Sequence, residues 1–311
     1  MMANADKVVA LIDVGSNTIR MVVYRVDQVT REFKSVIDAK DAVGLSSYIS
    51  EVGAMSEEGI TAGCRSVARL VRMSQLAKCD DVCIFATAAV RGCSNSNQVV
   101  DALSRSANCP VRVLSGEEEA RLSMMGALSS ESMRSGLFFD IGGGSTELAG
   151  LEKSCVSAYD SIPLGSLSSW KDRVLGDFPS TVELEAIERS FGEMLRISPV
   201  EVSKYSELCA IGGTMRLALK VIQRIDKERK SEKSNVMTRA DFDRIFDLAE
   251  ADPSTLAWHV LSIKPERVST FLPGCAIARS ILRASGCSSV RIAKTGLREG
   301  YLLSEFCTQA G

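Results

Sequence analysis

Apolar positions along the 311-residue chain follow two rhythms, short runs with a period near two and longer stretches with a period near 3.6. The first rhythm predicts strands at 8–13, 19–26 and 33–38. The second predicts a helix over 57–77, with Ile60, Cys64, Val67 and Val71 on one face and Ser56 as its N-cap. A strand at 82–86 then runs into Thr87 and a short helix, followed by a helix near 96–107, a strand at 111–114 and a helix from Glu117 to about Leu128. Residues 129–136 are a polar break. The second half repeats the plan, with strands at 136–141 and 145–150 and helices near 181–196, 214–226, 239–249, 254–262 and 273–285. It closes with a strand at 289–293 and a last helix from Leu297. Antiparallel strands followed by helix–strand alternation, done twice, predict an α/β chain of two similar lobes, 1–128 and 129–311, with a cleft between them. The last helix, from about 297, is free to pack back on the first lobe.

Two strand ends share a build. Residues 137–147 carry an apolar strand into Asp140, then Gly142, Gly143 and Gly144, then Ser145, Thr146 and Glu147. An offset of 127 residues places Asp13 on Asp140 and Gly15 on Gly142, each at the end of an apolar run. Internal similarity of this kind signals a duplicated unit. Glycines at such turns permit positive φ and let backbone N–H groups approach an anion. Asp140 and Glu147 would repel phosphate themselves but suit a hard divalent cation bound to it. A third apolar strand, Cys209-Ala210-Ile211, enters Gly212, Gly213 and Thr214. The competing reading of all three is a set of ordinary turns in an α/β protein.

Composition narrows the chemistry. The hydrophobic share of 45% and charged share of 24% are globular values, and a net charge of −2 gives no reason to expect nucleic acid as a partner. Ten scattered cysteines without a CxxC, and no leader before Val8, predict a reduced, cytoplasmic chain. No apolar run reaches the roughly 18 residues that a membrane span needs. The only histidine, His259, excludes a Ser-His-Asp triad and His-based metal sites, and reads as structural beside Trp258. Acid–base work therefore falls to carboxylates.

Three glutamates open the helix after residue 115. Ser115 takes the N-cap position with Glu118 three residues on, a capping-box spacing, and Glu117 suits the helix dipole. Glu119 has neither role, and the residues alone leave it as either a solvated helix carboxylate or a functional one.

Read in order, IDVGSNTIR at 12–20, ATAAVR at 86–91, SGEEEAR at 115–121, DIGGGSTE at 140–147, IPLG at 162–165, IGGT at 211–214 and GLREG at 296–300 resemble the Ppx/GppA family of exopolyphosphatases and guanosine pentaphosphate phosphatases. The resemblance implies two ribonuclease-H-like lobes of the actin–Hsp70–hexokinase superfold, with the active site in the cleft. It implies Glu119 as catalytic base and Asp140 and Glu147 as Mg²⁺-associated groups. It further implies a phosphoryl group held by Ser16, Asn17 and Thr18, by Gly142, Gly143, Gly144 and Ser145, and by the Gly212-Gly213-Thr214 turn. Arg20 and Arg91 are candidates to grip phosphate oxygens, with surface ion pairing as their alternative. Substrates would be inorganic polyphosphate or guanosine pentaphosphate, and the resemblance is compatible with a homodimer. A small-molecule kinase of the same superfold and a non-catalytic alarmone- or polyphosphate-binding regulator are further readings.

The chain departs from the family pattern at two cations. Ala42-Val43-Gly44 stands where Arg-Leu-Gly is usual, and Ser168 replaces an arginine after Pro163-Leu164-Gly165. A basic stretch with Arg216, Lys220, Arg224, Lys227, Arg229, Lys230 and Lys233 is interleaved with acids and reads as a solvated helix face. The length matches the short, two-lobed family type.

Overall fold

The computed structural model describes residues 6–226 and 234–307, so Lys227, Arg229, Lys230 and Lys233 of the basic stretch lie outside the described residues. The chain forms two compact units, one of residues up to Gly116 together with those from Tyr301, the other Glu117–Gly300.

The first unit is built on a five-stranded sheet. Strands β1 (Lys7–Val14), β2 (Ile19–Val26) and β3 (Phe33–Asp41) form an antiparallel meander, and β4 (Asp81–Ala86) and β5 (Val111–Val113) add in parallel, in the order β3-β2-β1-β4-β5. Its central strand is buried on both faces, so it reads as a near-continuous apolar run. One face packs Ala10, Ile12 and Val14 against α1 (Glu57–Leu76) and α3 (Ser96–Ala107), with α2 (Ala88–Arg91) following β4. Ser56 caps α1 as expected, accepting the Gly59 N–H at 3.2 Å. Tyr301 stacks on Phe85 with ring centroids 4.7 Å apart, which ties the segment after residue 300 to this unit.

The second unit repeats the plan. Strands β6 (Gly136–Ile141), β7 (Thr146–Glu152) and β8 (Cys155–Ile162) are antiparallel, β9 (Leu208–Ile211) and β11 (Ser289–Ile292) are parallel additions, and β10 (Val236–Thr238) is an extra edge strand. The order β8-β7-β6-β9-β11 matches that of the first unit strand for strand, the ribonuclease-H-like arrangement expected of two similar lobes. Helices α5 (Ser166–Arg173), α6 (Thr181–Ile197), α7 (Gly212–Ile225), α8 (Arg239–Ala251), α9 (Pro253–Leu261) and α10 (Val268–Ser285) follow in sequence, with α4 (Gly116–Leu128) before the sheet and α11 (Leu297–Leu302) after it.

Strand alternation sorts this sheet into two faces. Leu137, Phe139, Ile141 and Leu148 face the main core with α6, α7 and α10. Phe138, Ala149, Leu151 and Ile211 face the other way and pack with Ala120, Met124 and Ala127 of α4. Asp140 and Glu147 share the parity of Phe138 and Ala149, so they belong to the face that α4 covers.

Three elements escape the hydrophobic pattern. β8 is an edge strand with its first three residues exposed, α5 is short and serine-rich, and β10 has three residues. Helix α10 starts at Val268 rather than 273, with Pro273 inside it. Burial of every residue from Thr270 to Ala278 outweighs the cost of the missing N–H.

Candidate functional site

The two aspartate-ended turns are one structure made twice. In the first unit the Gly15 N–H donates to the Thr18 carbonyl at 3.1 Å; in the second, at the same offset of 127 residues, the Gly142 N–H donates to the Ser145 carbonyl at 2.9 Å. Each turn joins paired strands, Val14 opposite Ile19 and Ile141 opposite Thr146.

What surrounds each turn fixes its polarity. In the second unit the N–H groups that open α5 take the loop's carbonyls. Ser166 donates to Gly142 O at 2.9 Å, Leu167 to Gly143 O at 2.8 Å and Ser168 to Gly143 O at 3.0 Å. With those carbonyls turned toward α5, the N–H groups of Gly143, Gly144 and Ser145 find no acceptor among the described residues. Gly165 makes this approach feasible, since a Cβ there would lie 2.7 Å from Gly142 O and from the Gly143 carbonyl. The first unit does the same by other means. The Gly44 N–H donates to Asn17 O at 2.9 Å and the Ser46 N–H to Ser16 O at 3.1 Å, leaving the N–H groups of Ser16, Asn17 and Thr18 without an acceptor among the described residues. Gly44 adopts φ +66°, a left-handed conformation that favours glycine. Successive unclaimed N–H groups of this kind form an anion-binding concavity.

Gly44, which the chain keeps from the Arg-Leu-Gly pattern, and Ser168, which departs from the family pattern, thus have structural roles. Gly44 anchors the first turn. The Ser168 hydroxyl accepts the Gly165 N–H at 2.9 Å and closes the start of α5.

Around the second turn Glu147 is buried and Asp140 is partly buried. Asp140 and Glu147 are directly opposed across β6 and β7, and Glu147 is 2% exposed. Glu147 Oε1 accepts the Ser145 hydroxyl at 2.5 Å and the Ser161 hydroxyl at 2.9 Å. Gly212, at φ +88°, abuts Asp140: a Cβ there would sit 2.1 Å from Asp140 Oδ1. Two hard oxygen donors facing each other, with glycine in place of side chains beside them, could hold a divalent cation whose remaining coordination is completed by water and phosphate oxygens.

The Gly212-Gly213-Thr214 turn opens α7. Its Thr214 hydroxyl is already committed, donating to Ile141 O at 3.1 Å and accepting from Arg267 Nη1 at 2.9 Å. Arg267 lies along this turn, its Nη2 2.9 Å from where a Cβ on Gly213 would be. The sequence reading missed Arg267, because nothing in the spacing of Lys264-Pro265-Glu266-Arg267 connects it with a glycine turn far upstream.

Glu119 resolves against the solvated reading. Among Glu117, Glu118 and Glu119, only Glu119 is buried, at 8% exposure. It immediately precedes Ala120, which packs on the sheet face that carries Asp140 and Glu147. The two sequence-picked arginines have protein partners. Arg20 forms a bidentate pair with Asp38, with Nε to Oδ1 at 2.7 Å, and Arg91 Nη1 donates to Leu114 O at 3.0 Å. Arg216 of the basic stretch is held by the carbonyls of Ala293 and Lys294. No helix among the described residues is long and apolar enough to cross a membrane.

Fold and turns together define a class: a duplicated ribonuclease-H-like protein with N–H-lined glycine turns at corresponding strand ends. The model of the Ppx/GppA phosphatase family matches residues 22–309, and the chain belongs to that family. A solved family member from Aquifex aeolicus is 21% identical with a TM-score of 0.79, covering 98% of this chain and 99% of its own. An exopolyphosphatase from Cytophaga hutchinsonii is 20% identical with a TM-score of 0.84, covering 97% of this chain and 98% of its own. At such identities the likeness is one of fold.

Proposed function

We propose that the chain is an exopolyphosphatase that hydrolyses the terminal phosphate of inorganic polyphosphate. Membership of a phosphatase family and likeness in fold to a protein named an exopolyphosphatase support this reading. The observation that carries it is local: one sheet face of the second unit joins an N–H-lined turn at Gly143–Ser145, two opposed carboxylates and the helix that bears buried Glu119.

In this reading the terminal phosphoryl group accepts hydrogen bonds from the N–H groups of Gly143, Gly144 and Ser145. Arg267 adds positive charge beside Gly213. Glu119 accepts a proton from a water aligned for in-line attack on phosphorus; the new P–O bond forms as the bridging P–O bond to the shortened chain breaks. Positioning and electrostatics supply most of the acceleration in such reactions. Mg²⁺ is the cofactor we assign, held by Asp140 and Glu147. When bound it offsets the phosphate charge that repels the nucleophile.

Hydrolysis of guanosine pentaphosphate would use the same groups with a different leaving group. The test is phosphate release in Mg²⁺ from polyphosphates of graded length and, in parallel, from guanosine pentaphosphate. Preferential release from polyphosphate supports the proposal. Release from guanosine pentaphosphate alone replaces it with an alarmone phosphatase, and binding without release from either replaces it with a regulator.

A further inference from the structure

Three residues line up across neighbouring strands. Asp140 on β6 opposes Glu147 on β7, and Glu147 in turn opposes Ser161 on β8. Residues directly opposite on antiparallel strands project to the same face, so the row places a hydroxyl beside the second carboxylate. The contact is made: Ser161 Oγ donates to Glu147 Oε1 at 2.9 Å, the oxygen that also accepts from Ser145 Oγ. Both hydroxyls thus grip one oxygen. The other, Oε2, lies toward the glycine turn, 3.9 Å from where a Cβ on Gly142 would be.

This arrangement does more than fill space. A glutamate side chain has three rotatable bonds, and a single donor leaves the carboxylate free to swing. Two donors converging on Oε1, one from the turn and one from β8, fix its plane. They do so at a residue that opposes another acid, where like charge alone would push the two apart. Ser145 belongs to the turn itself and moves with it, whereas Ser161 comes from the next strand and is an independent anchor.

We infer that Ser161 is a positioning residue that holds Glu147 with Oε2 presented to a divalent cation beside the phosphate turn. The inference rests on the assignment of Asp140 and Glu147 as the cation's ligands. Partners that orient a ligating carboxylate contribute about 10–100-fold to metal affinity, and Ser161 is such a partner on β8, one residue before the IPLG motif.

The test uses Mn²⁺ alone, titrated into the full-length protein and followed by electron paramagnetic resonance, with Mg²⁺ as competitor. Ser161→Ala is expected to weaken Mn²⁺ binding by about 10–100-fold, and Ser161→Thr, which retains the hydroxyl, to restore most of it. Should the alanine variant not fold, Ser161→Cys keeps the size, replaces the hydroxyl with a weak donor, and is read by the same criterion. A purely structural serine would lower the unfolding midpoint of the metal-free protein and leave Mn²⁺ affinity unchanged. Binding by the alanine variant within about twofold of wild type, against the loss expected for a ligand-orienting group, overturns the inference. Absence of Mn²⁺ and Mg²⁺ binding in wild type overturns the metal assignment itself, and the inference with it.

Discussion

Asp140 and Gly212 are in contact across parallel strands, with Asp140 Oδ1 occupying the place where a side chain on residue 212 would start, 2.1 Å from an ideal Cβ. The glycine turn after β9 therefore sets the position of the carboxylate at the end of β6.

Gly212→Ala should disturb both backbone and carboxylate. At φ +88° an alanine is strained, with a stability cost of about 1–3 kcal/mol. Its methyl group must also displace Asp140. We expect phosphate release at fixed Mg²⁺ to fall by about 10–100-fold and to recover partly as Mg²⁺ is raised. Thermal unfolding and a Mg²⁺ titration of the rate check the two effects separately; a folded variant with wild-type Mg²⁺ dependence would break the proposed link.

Helix α4 is held by glycines. A Cβ on Gly300 would lie 1.8 Å from Leu122 O, and one on Gly126 would lie 1.9 Å from Gly296 O, so α4 meets the segment Gly296–Gly300 backbone to backbone. Gly300→Ala should force the helices apart at a cost of about 1–3 kcal/mol. Because α4 carries Glu119, a shift near 1 Å should also lower kcat by about 100-fold. KM should change little, since the phosphate turn is not on α4. Steady-state kinetics distinguish this from a loss of substrate binding.

In the first unit Asp41 closes β3 onto α1, accepting from Ser66 Oγ at 2.7 Å and from Arg69 Nε at 3.0 Å and Nη2 at 2.5 Å. Burial pushes its carboxyl up, but the Arg69 and Ser66 hydrogen bonds outweigh that and hold it below the usual aspartate value. A lowered carboxyl stabilises the fold above the unfolded-state pKa, and that contribution is lost as pH falls through the folded-state value. Asp41→Asn should therefore cost about 1 kcal/mol near neutrality, discounted for the partly exposed Arg69. The difference from wild type should shrink below about pH 4. Urea unfolding at pH 7 and pH 3 measures both.

How far the sequence reaches can be judged residue by residue. The repeat that maps Asp13 onto Asp140 is written in residue types, and its consequence is the identical N–H to carbonyl closure of Gly15 and Gly142. Buried strands such as β1 and amphipathic helices such as α1 declare themselves because their apolar period is strong. β8 and α5 do not, since an exposed edge and a serine-rich turn of helix carry little hydrophobic signal. Yet those two elements supply Ser161 to Glu147 and the N–H groups that turn the glycine loop. Burial of Glu119 and the contact of Arg267 with Thr214 are likewise tertiary facts that no local pattern encodes.

The central claim is that Glu119 activates the attacking water, and Glu119→Gln tests it most directly. Glutamine keeps the size and one acceptor oxygen of the side chain but cannot accept the proton. The account predicts a folded variant that binds polyphosphate as wild type does and releases phosphate about 100–10,000-fold more slowly at saturating Mg²⁺. Release at the wild-type rate from a correctly folded Glu119→Gln protein would contradict it.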